Sequence, residues 1–173
     1  RNNILSIVDL NLPKLQKLEL DFNMLERIPP LTNIPNLVEL RLNNNAITSL
    51  DYKTFIPVRT TLLVFEIDYN QVNFATAVDF MNFFQSVGEN MRLKSISIKG
   101  NPFTSDTRFT EEYSTIIIHH LQLLSVLNSK NVSNPEKEAA RNINDTLAQI
   151  FEKENKQKNF GKTDKPGLIS GLQ

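Results

Sequence analysis

Residues 37–47 read Leu37-Val38-Glu39-Leu40-Arg41-Leu42-Asn43-Asn44-Asn45-Ala46-Ile47, an apolar residue at offsets 0, 3 and 5, asparagine at 8 and an apolar residue at 10. The same offsets recur upstream as Leu15, Leu18, Leu20, Asn23 and Leu25. Downstream they recur as Leu62, Phe65, Ile67, Asn70 and Val72, then as Leu93, Ile96, Ile98, Asn101 and Phe103. Alternation over the central residues predicts one short strand per unit, with every second side chain directed into a shared core. An asparagine at a fixed place after each strand has a separate role, because its amide can pair backbone groups of adjacent turns that burial would leave orphaned. A fifth, partial unit is read at the start, where Asn3, Leu5 and Val8 reproduce the offsets of Asn23, Leu25 and Ile28. On that reading the chain opens in mid-repeat and at least one strand precedes Arg1. Successive asparagines at 3, 23, 45, 70 and 101 are then separated by 20, 22, 25 and 31 residues, so the units lengthen toward the end.

This spacing is the leucine-rich-repeat signature, which implies an α/β solenoid with parallel strands on the concave face and loops and helices on the convex face. The stretches 21–30 and 43–51 are expected to return to the convex side, with Pro29, Pro30 and Pro35 favouring extended or 3₁₀ backbone. In the third unit, Ala75 to Val87 has apolar residues at helical spacing and is read as a helix closed by Gly88 as its C′ residue. A second helix is expected from Thr110, as N-cap, to His120, with Glu111 and Glu112 in its first turn.

The segment Gly100-Asn101-Pro102-Phe103, with Tyr113, Ile116, Ile117, Leu121, Leu124, Leu127, Asn128 and Val132, resembles the C-terminal cap of the cytoplasmic short-repeat class. That class includes the nuclear phosphatase-1 regulatory subunit, the spliceosomal A-prime protein, the tubulin-folding cofactors and axonemal proteins such as dynein light chain 1. The resemblance covers about residues 1–133. Gln122 stands where the family's cap usually has Pro, and Asn128 where it usually has Asp. What the resemblance implies is an intracellular, cytoplasmic scaffold subunit.

Domain organisation is read as a capped repeat domain over 1–133, an amphipathic helix over 134–158 and a tail over 159–173 that is flexible or docked on a partner. The helix opens on Ser133-Asn134-Pro135-Glu136, a capping residue before Pro and an acid. Ala140, Ile143, Leu147, Ile150 and Phe151 form one apolar stripe along it. The tail is polar and rich in structure breakers, yet contains Leu168, Ile169 and Leu172.

Bulk properties narrow the function. The 173 residues carry 19 basic and 19 acidic side chains, so the formal net charge is zero and no bulk attraction to nucleic acid or an anionic membrane is implied. Cysteine is absent, which favours a reducing compartment over a disulfide-stapled secreted domain. No apolar run approaches the roughly 20 residues needed to cross a bilayer. The chain has no phosphate-binding glycine loop, no zinc-protease motif and no cysteine nucleophile. Its two histidines, His119 and His120, are adjacent, so they diverge on a helix and cannot chelate one metal. Catalytic, cofactor and metal sites are therefore all read as none. Asn131-Val132-Ser133 and Asn144-Asp145-Thr146 match the glycosylation sequon and are read as chance in an asparagine-rich chain.

Function is then expected on the displayed surface. Strand residues alternating with the core positions make four concave columns: Lys17, Glu39, Val64, Ser95; Glu19, Arg41, Glu66, Ser97; Asp21, Asn43, Asp68, Lys99; and Phe22, Asn44, Tyr69, Gly100. Acids dominate the middle and two aromatics line one border. Glu19, Phe22, Glu39, Arg41, Glu66, Asp68 and Tyr69 are the candidate partner-binding residues, suited to a basic helix or peptide with an apolar anchor, together with Ile143, Leu147, Ile150 and Phe151 on the C-terminal helix. A merely solvated strand face is the plainer alternative. The reading is a non-enzymatic adaptor in a large assembly, axonemal or microtubule-associated by resemblance. A regulatory subunit docking on an enzyme such as a phosphatase and an RNA–protein scaffold are the other candidates.

Overall fold

The computed structural model describes residues 2–106, 113–144, 147–149 and 152. Strands β1 (Lys17–Glu19), β2 (Glu39–Arg41), β3 (Val64–Glu66) and β4 (Ser95–Ser97) pair in parallel, and the short β5 (Val126–Leu127) continues the order before β6 (Lys130–Asn131) turns back antiparallel. The register puts Leu18, Leu40, Phe65, Ile96 and Leu127 side by side, and each successive unit adds one rung. Strands this short carry little stability themselves. The burial of Leu37, Leu40, Leu42, Ile47, Leu62, Phe65 and Ile67 between neighbouring turns supplies it.

The asparagine ladder is as the spacing predicts. Asn45 Oδ1 accepts from Leu25 N at 3.0 Å, Asn70 Oδ1 from Ile47 N at 3.0 Å and Asn101 Oδ1 from Val72 N at 3.0 Å. Each Nδ2 donates to carbonyls of its own turn and of the turn before: Asn70 to Ile67 O, Asp68 O and Leu42 O, Asn101 to Ile98 O and Ile67 O. Each amide thus pairs backbone groups on two turns that water cannot reach.

At the start of the chain the register differs from expectation by one residue. Ile4 N donates to Asn23 Oδ1, and Met24 N to Ile4 O, as Leu25 and Ala46 do one unit on, so Ile4 occupies the Leu25 position. The unit is therefore carried by Asn2, Ile4 and Ile7, while Leu5 and Val8 are exposed. Apolar pairs three residues apart fall in both registers, and the sequence pattern alone has nothing to choose between them.

The convex side is built unevenly. The return after β2 continues past 51 into a 3₁₀ helix, Tyr52–Val58, which Asp51 caps by accepting from Lys53 N at 2.9 Å. The segment 26–38, by contrast, forms no helix but has two tight turns, in which Ile34 N donates to Leu31 O at 3.2 Å and Leu37 N to Ile34 O at 3.1 Å. The third unit has a true helix, α1, from Ala77 to Asn90. Thr76 and Asp79 form its capping box, with Asp79 N donating to Thr76 Oγ1 and Thr76 N to Asp79 Oδ2. Its buried face brings Phe80, Phe83 and Phe84 onto Phe74, Phe103 and Phe55 in a chain of edge-on and tilted ring contacts.

Gly88 does not close this helix as expected but lies inside it. A Cβ there would stand 2.0 Å from the carbonyl oxygen of His120, so glycine is required by the approach of α2 (Tyr113–His120) rather than by helix termination. The expected N-cap of that second helix, Thr110, and Glu111 and Glu112 fall outside the described residues. His119 Nδ1 lies 2.8 Å from Ala140 O and ties α2 to α3 (Asn134–Arg141). His120 has a buried Nε2 without a hydrogen-bond partner. Burial first, and the neighbouring His119 second, lower its pKa from the ordinary 6.5 against an opposing pull from Glu89. The folded state thus favours the neutral ring. This contribution to stability is present above pH 6.5 and is lost as pH falls from there toward the depressed folded value. A His120→Gln variant is expected to show a flatter dependence of melting temperature on pH between about 7 and 5 than the wild type. Parallel curves would place the titrating group elsewhere.

The C-terminal helix begins where the sequence predicts. Glu136 N donates to Ser133 Oγ and Ser133 N to Glu136 Oε2, and the hydrogen bonds from Ser133 hold the Glu136 carboxyl below its ordinary range. It does not run unbroken: α3 ends at Arg141, with Asn142 as its C-cap. Ala140 before the break and Ile143 after it are both buried in the core, and helical hydrogen bonding resumes with Leu147 N to Ile143 O at 3.0 Å.

Candidate protein-binding face

The alternating strand positions project the four expected columns onto the concave side, with Lys17, Glu39, Val64 and Ser95 in register, and Glu19, Arg41, Glu66 and Ser97 beside them. Charges within the first two columns are interlocked. Lys17 Nζ is 2.8 Å from Glu19 and 3.4 Å from Glu39, and Arg41 reaches Glu19 and Glu66 at 3.7 Å while hydrogen-bonding Glu39 through Nε. The Lys17 ammonium, hydrogen-bonded to Glu19, holds that carboxyl below its ordinary range. These pairs are half-exposed, and each contributes less than about 1 kcal/mol. Their effect is geometric: two cations lock three carboxylates into one sheet-wide array.

The third column is a second ladder. Asp21 Oδ1 accepts from Asn43 N at 2.7 Å, Asn43 Oδ1 from Asp68 N at 2.8 Å, and Asp68 Oδ1 from Lys99 N at 2.7 Å, so a side chain in each unit pairs the backbone of the next. Asp68 is only 9% exposed and also accepts from Ser97 Oγ at 2.9 Å. The sequence suggests an acid offered to a partner, and the structure corrects this: its oxygens are engaged inside the fold. The signal lies in the column itself, where Asp21, Asn43 and Asp68 all have short polar side chains with an acceptor oxygen.

The fourth column has an unusual backbone. Phe22, Asn44, Tyr69 and Gly100 have φ of 59°, 56°, 54° and 67°, all in the left-handed region. Glycine and asparagine tolerate this conformation, whereas for phenylalanine and tyrosine it costs about 1–2 kcal/mol each. The lateral hydrogen bonds Phe22 N to Asn43 O, Asn44 N to Asp68 O and Tyr69 N to Lys99 O hold it. The two aromatics gain only partial burial in return, for Phe22 is 51% and Tyr69 58% exposed, and Met24, two residues after Phe22, is 51% exposed. Tyr69 lies against Gly100, where an added Cβ would meet its ring at 2.4 Å. Met24 follows the ladder asparagine and so lies outside the strand alternation from which the columns are read.

The C-terminal candidates divide. Ile143 is 4% exposed within the chain's own core, which corrects its assignment to a partner surface, and Leu147 packs partly against that core. Ile150 and Phe151 lie outside the described residues. Among the described residues no group of three or more His, Cys, Asp or Glu side chains could hold a metal ion, and no helix is long and apolar enough to cross a membrane.

Residues 13–54 match the family model for leucine-rich repeats in two copies. No curated protein matches the chain. Among solved structures, the Drosophila melanogaster SNF/U2A′ complex is similar at 21% identity, over 88% of this chain and 83% of that one, with a TM-score of 0.67. The Chaetomium Mex67:Mtr2 subunits are 17% identical over 67% and 70% of the two chains, with a TM-score of 0.45. The functional domain of InlJ from Listeria monocytogenes is 14% identical over 79% and 31%, with a TM-score of 0.48.

Proposed function

Starting from a leucine-rich-repeat solenoid fold, we propose that the chain is a non-catalytic adaptor that binds a protein partner on its concave face, through Phe22 and Tyr69. The observation that carries this is the pairing of exposure with strain. Two large aromatics occupy left-handed positions that asparagine fills in the unit between them, and bury little within the chain. Aromatics of this kind contribute about 2 kcal/mol or more each when desolvated at an interface centre. Glu19, Glu39, Arg41 and Glu66, fixed by their mutual ion pairs, would set orientation and association rate and suit a partner element of net positive charge.

The assembly we favour is axonemal or microtubule-associated, on the resemblance of the cap, with docking on a phosphatase as the enzyme-regulatory variant of the same role. A second reading, scaffold subunit of an RNA–protein particle, is favoured by the similarity to the SNF/U2A′ structure over most of the chain. Affinity capture of the tagged full chain followed by mass spectrometry separates them, because axonemal subunits, a phosphatase or RNA-binding proteins would be recovered. Recovery of none of these would overturn all three assignments.

With the captured partner in hand, Glu66→Lys and Tyr69→Asn should act on different rate constants. Asparagine keeps the left-handed backbone at 69, as Asn44 does in the same column, so this variant removes only the ring. Charge reversal at Glu66 should slow association about tenfold at low salt and much less at high salt, whereas loss of the Tyr69 ring should mainly speed dissociation. Unchanged kinetics in both would move the interface to the convex helix α1.

A further inference from the structure

We infer that an arginine side chain of the protein partner seats over Asn43 and Asn44, its guanidinium pairing with Asp21 and Glu66 and its flat face resting between Phe22 and Tyr69. This rests on the concave face being the binding surface and specifies the partner's contact there. The concave carboxylates are not equally served. Glu19 and Glu39 each pair with Lys17 and Arg41, Glu66 pairs with Arg41, and Asp68 with Lys99. Asp21 is the one concave carboxylate without an ion pair among the described residues. The cause lies in its column, where Asp68 is followed one unit on by Lys99 but Asp21 by the neutral Asn43. Asp21 Oδ1 is taken by Asn43 N at 2.7 Å, whereas Oδ2 meets only Asn43 Nδ2, at 3.4 Å. A half-buried carboxylate without a counter-charge is costly, and a cation from outside relieves that cost.

Asn43 brings a second carboxylate to the same place. Its Nδ2 donates to Glu66 Oε2 at 3.0 Å while reaching Asp21, so one amide holds the two acids on either side of it. Glu66 has to share its one cation, Arg41, with Glu19 and Glu39. Phe22 and Tyr69 flank this spot from the first and third units, two strand separations or about 10 Å apart, with Asn44 between them. A side chain touching both rings needs about 7–8 Å at van der Waals contact, so the interval admits one. Tyr69 rests against the bare backbone of Gly100 and leaves more than half of itself to solvent. Arginine suits such a place better than lysine or leucine. Its planar guanidinium stacks on an aromatic ring while donating in its own plane to two carboxylates, whereas an ammonium is a compact point charge and leucine has no donor.

The probes are three blocked tripeptides, acetyl-Gly-Arg-Gly-amide and its lysine and leucine counterparts, titrated at millimolar concentration into the isotope-labelled full chain and followed by NMR shifts. The arginine peptide is expected to shift the amides of Asp21, Phe22, Asn43 and Asn44 and the Tyr69 ring, and to bind about fivefold more tightly than the lysine peptide. Asp21→Asn keeps an Oδ1 acceptor for Asn43 N and removes only the charge, and it should weaken arginine binding about fivefold. Glu19→Gln removes a charge from the same face at a residue already paired with two cations, and should weaken binding less than about twofold. Equal losses in the two variants would reduce the effect to the net charge of the face and overturn the inference. Arginine binding no tighter than lysine or leucine, or shifts absent from these residues, would overturn it as well. If the captured partner is lost on Tyr69→Asn yet bound undiminished by Asp21→Asn, the inference fails while the proposed function stands.

Discussion

A Gly88→Ala variant is expected to be destabilised by about 2–3 kcal/mol, even though alanine inside a helix is ordinarily about 1 kcal/mol better than glycine. Gly88 lies in the last turns of α1, and the position a Cβ would take is 2.0 Å from the His120 carbonyl oxygen and 2.8 Å from its carbon. Both are backbone atoms, so no rotamer change relieves the clash. Either α1 and α2 separate, opening contacts around Val87 and Ile117, or one helix bends. The expected drop in melting temperature is about 4–12 °C for a chain of this length. A rise of a few degrees, the outcome that helix propensity alone predicts, would show that the two helices do not approach so closely.

Asn70→Leu is expected to cost about 3 kcal/mol and to be the most damaging of the ladder substitutions. Asn70 is 1% exposed and its amide serves one N–H and three carbonyls, so leucine leaves Ile47 N–H and the carbonyls of Ile67 and Asp68 without this partner where water cannot replace it. Asn23 has the same place in its unit but is half-exposed at the edge of the array, and Asn23→Leu should cost about 1 kcal/mol. Gln71→Ala, at an exposed neighbour, is the control. Asn44→Ala is not, because alanine at φ of 56° introduces strain of its own. Urea melts of the three variants should rank in that order, and equal midpoints for Asn70→Leu and Gln71→Ala would contradict the register.

How far the sequence was legible follows from what kind of force places each residue. Leu40, Phe65, Ile96 and the asparagines from 23 to 101 repeat at fixed offsets because burial imposes them in every unit, and the concave columns follow from strand alternation. The opening unit was read one residue out of register because Ile4 and Ile7 compete with Leu5 and Val8 for the same pattern, and only the hydrogen bonds to Asn23 and Met24 choose. Gly88 was misread for a related reason: glycine after an apolar helix signals either an end or a close crossing, and the crossing partner is 32 residues away in sequence. On the candidate face, Phe22 and Tyr69 were found by alternation alone. The left-handed backbone that distinguishes them was visible only as an aromatic standing where other units have Asn44 and Gly100. Asp68 was misassigned because an acid on a strand face reads as surface until its acceptors are seen to be taken.

The most direct test of the concave aromatic face is quantitative recovery of the partner by the full chain and by a Phe22→Asn/Tyr69→Asn double variant. Asparagine at both positions preserves the left-handed column, so the double variant should melt at or slightly above the wild-type temperature. Loss of two anchors of about 2 kcal/mol each should then reduce partner recovery by at least a hundredfold at equal bait concentration. Recovery of the same partner in the same amount by both proteins, at equal stability, would contradict the account.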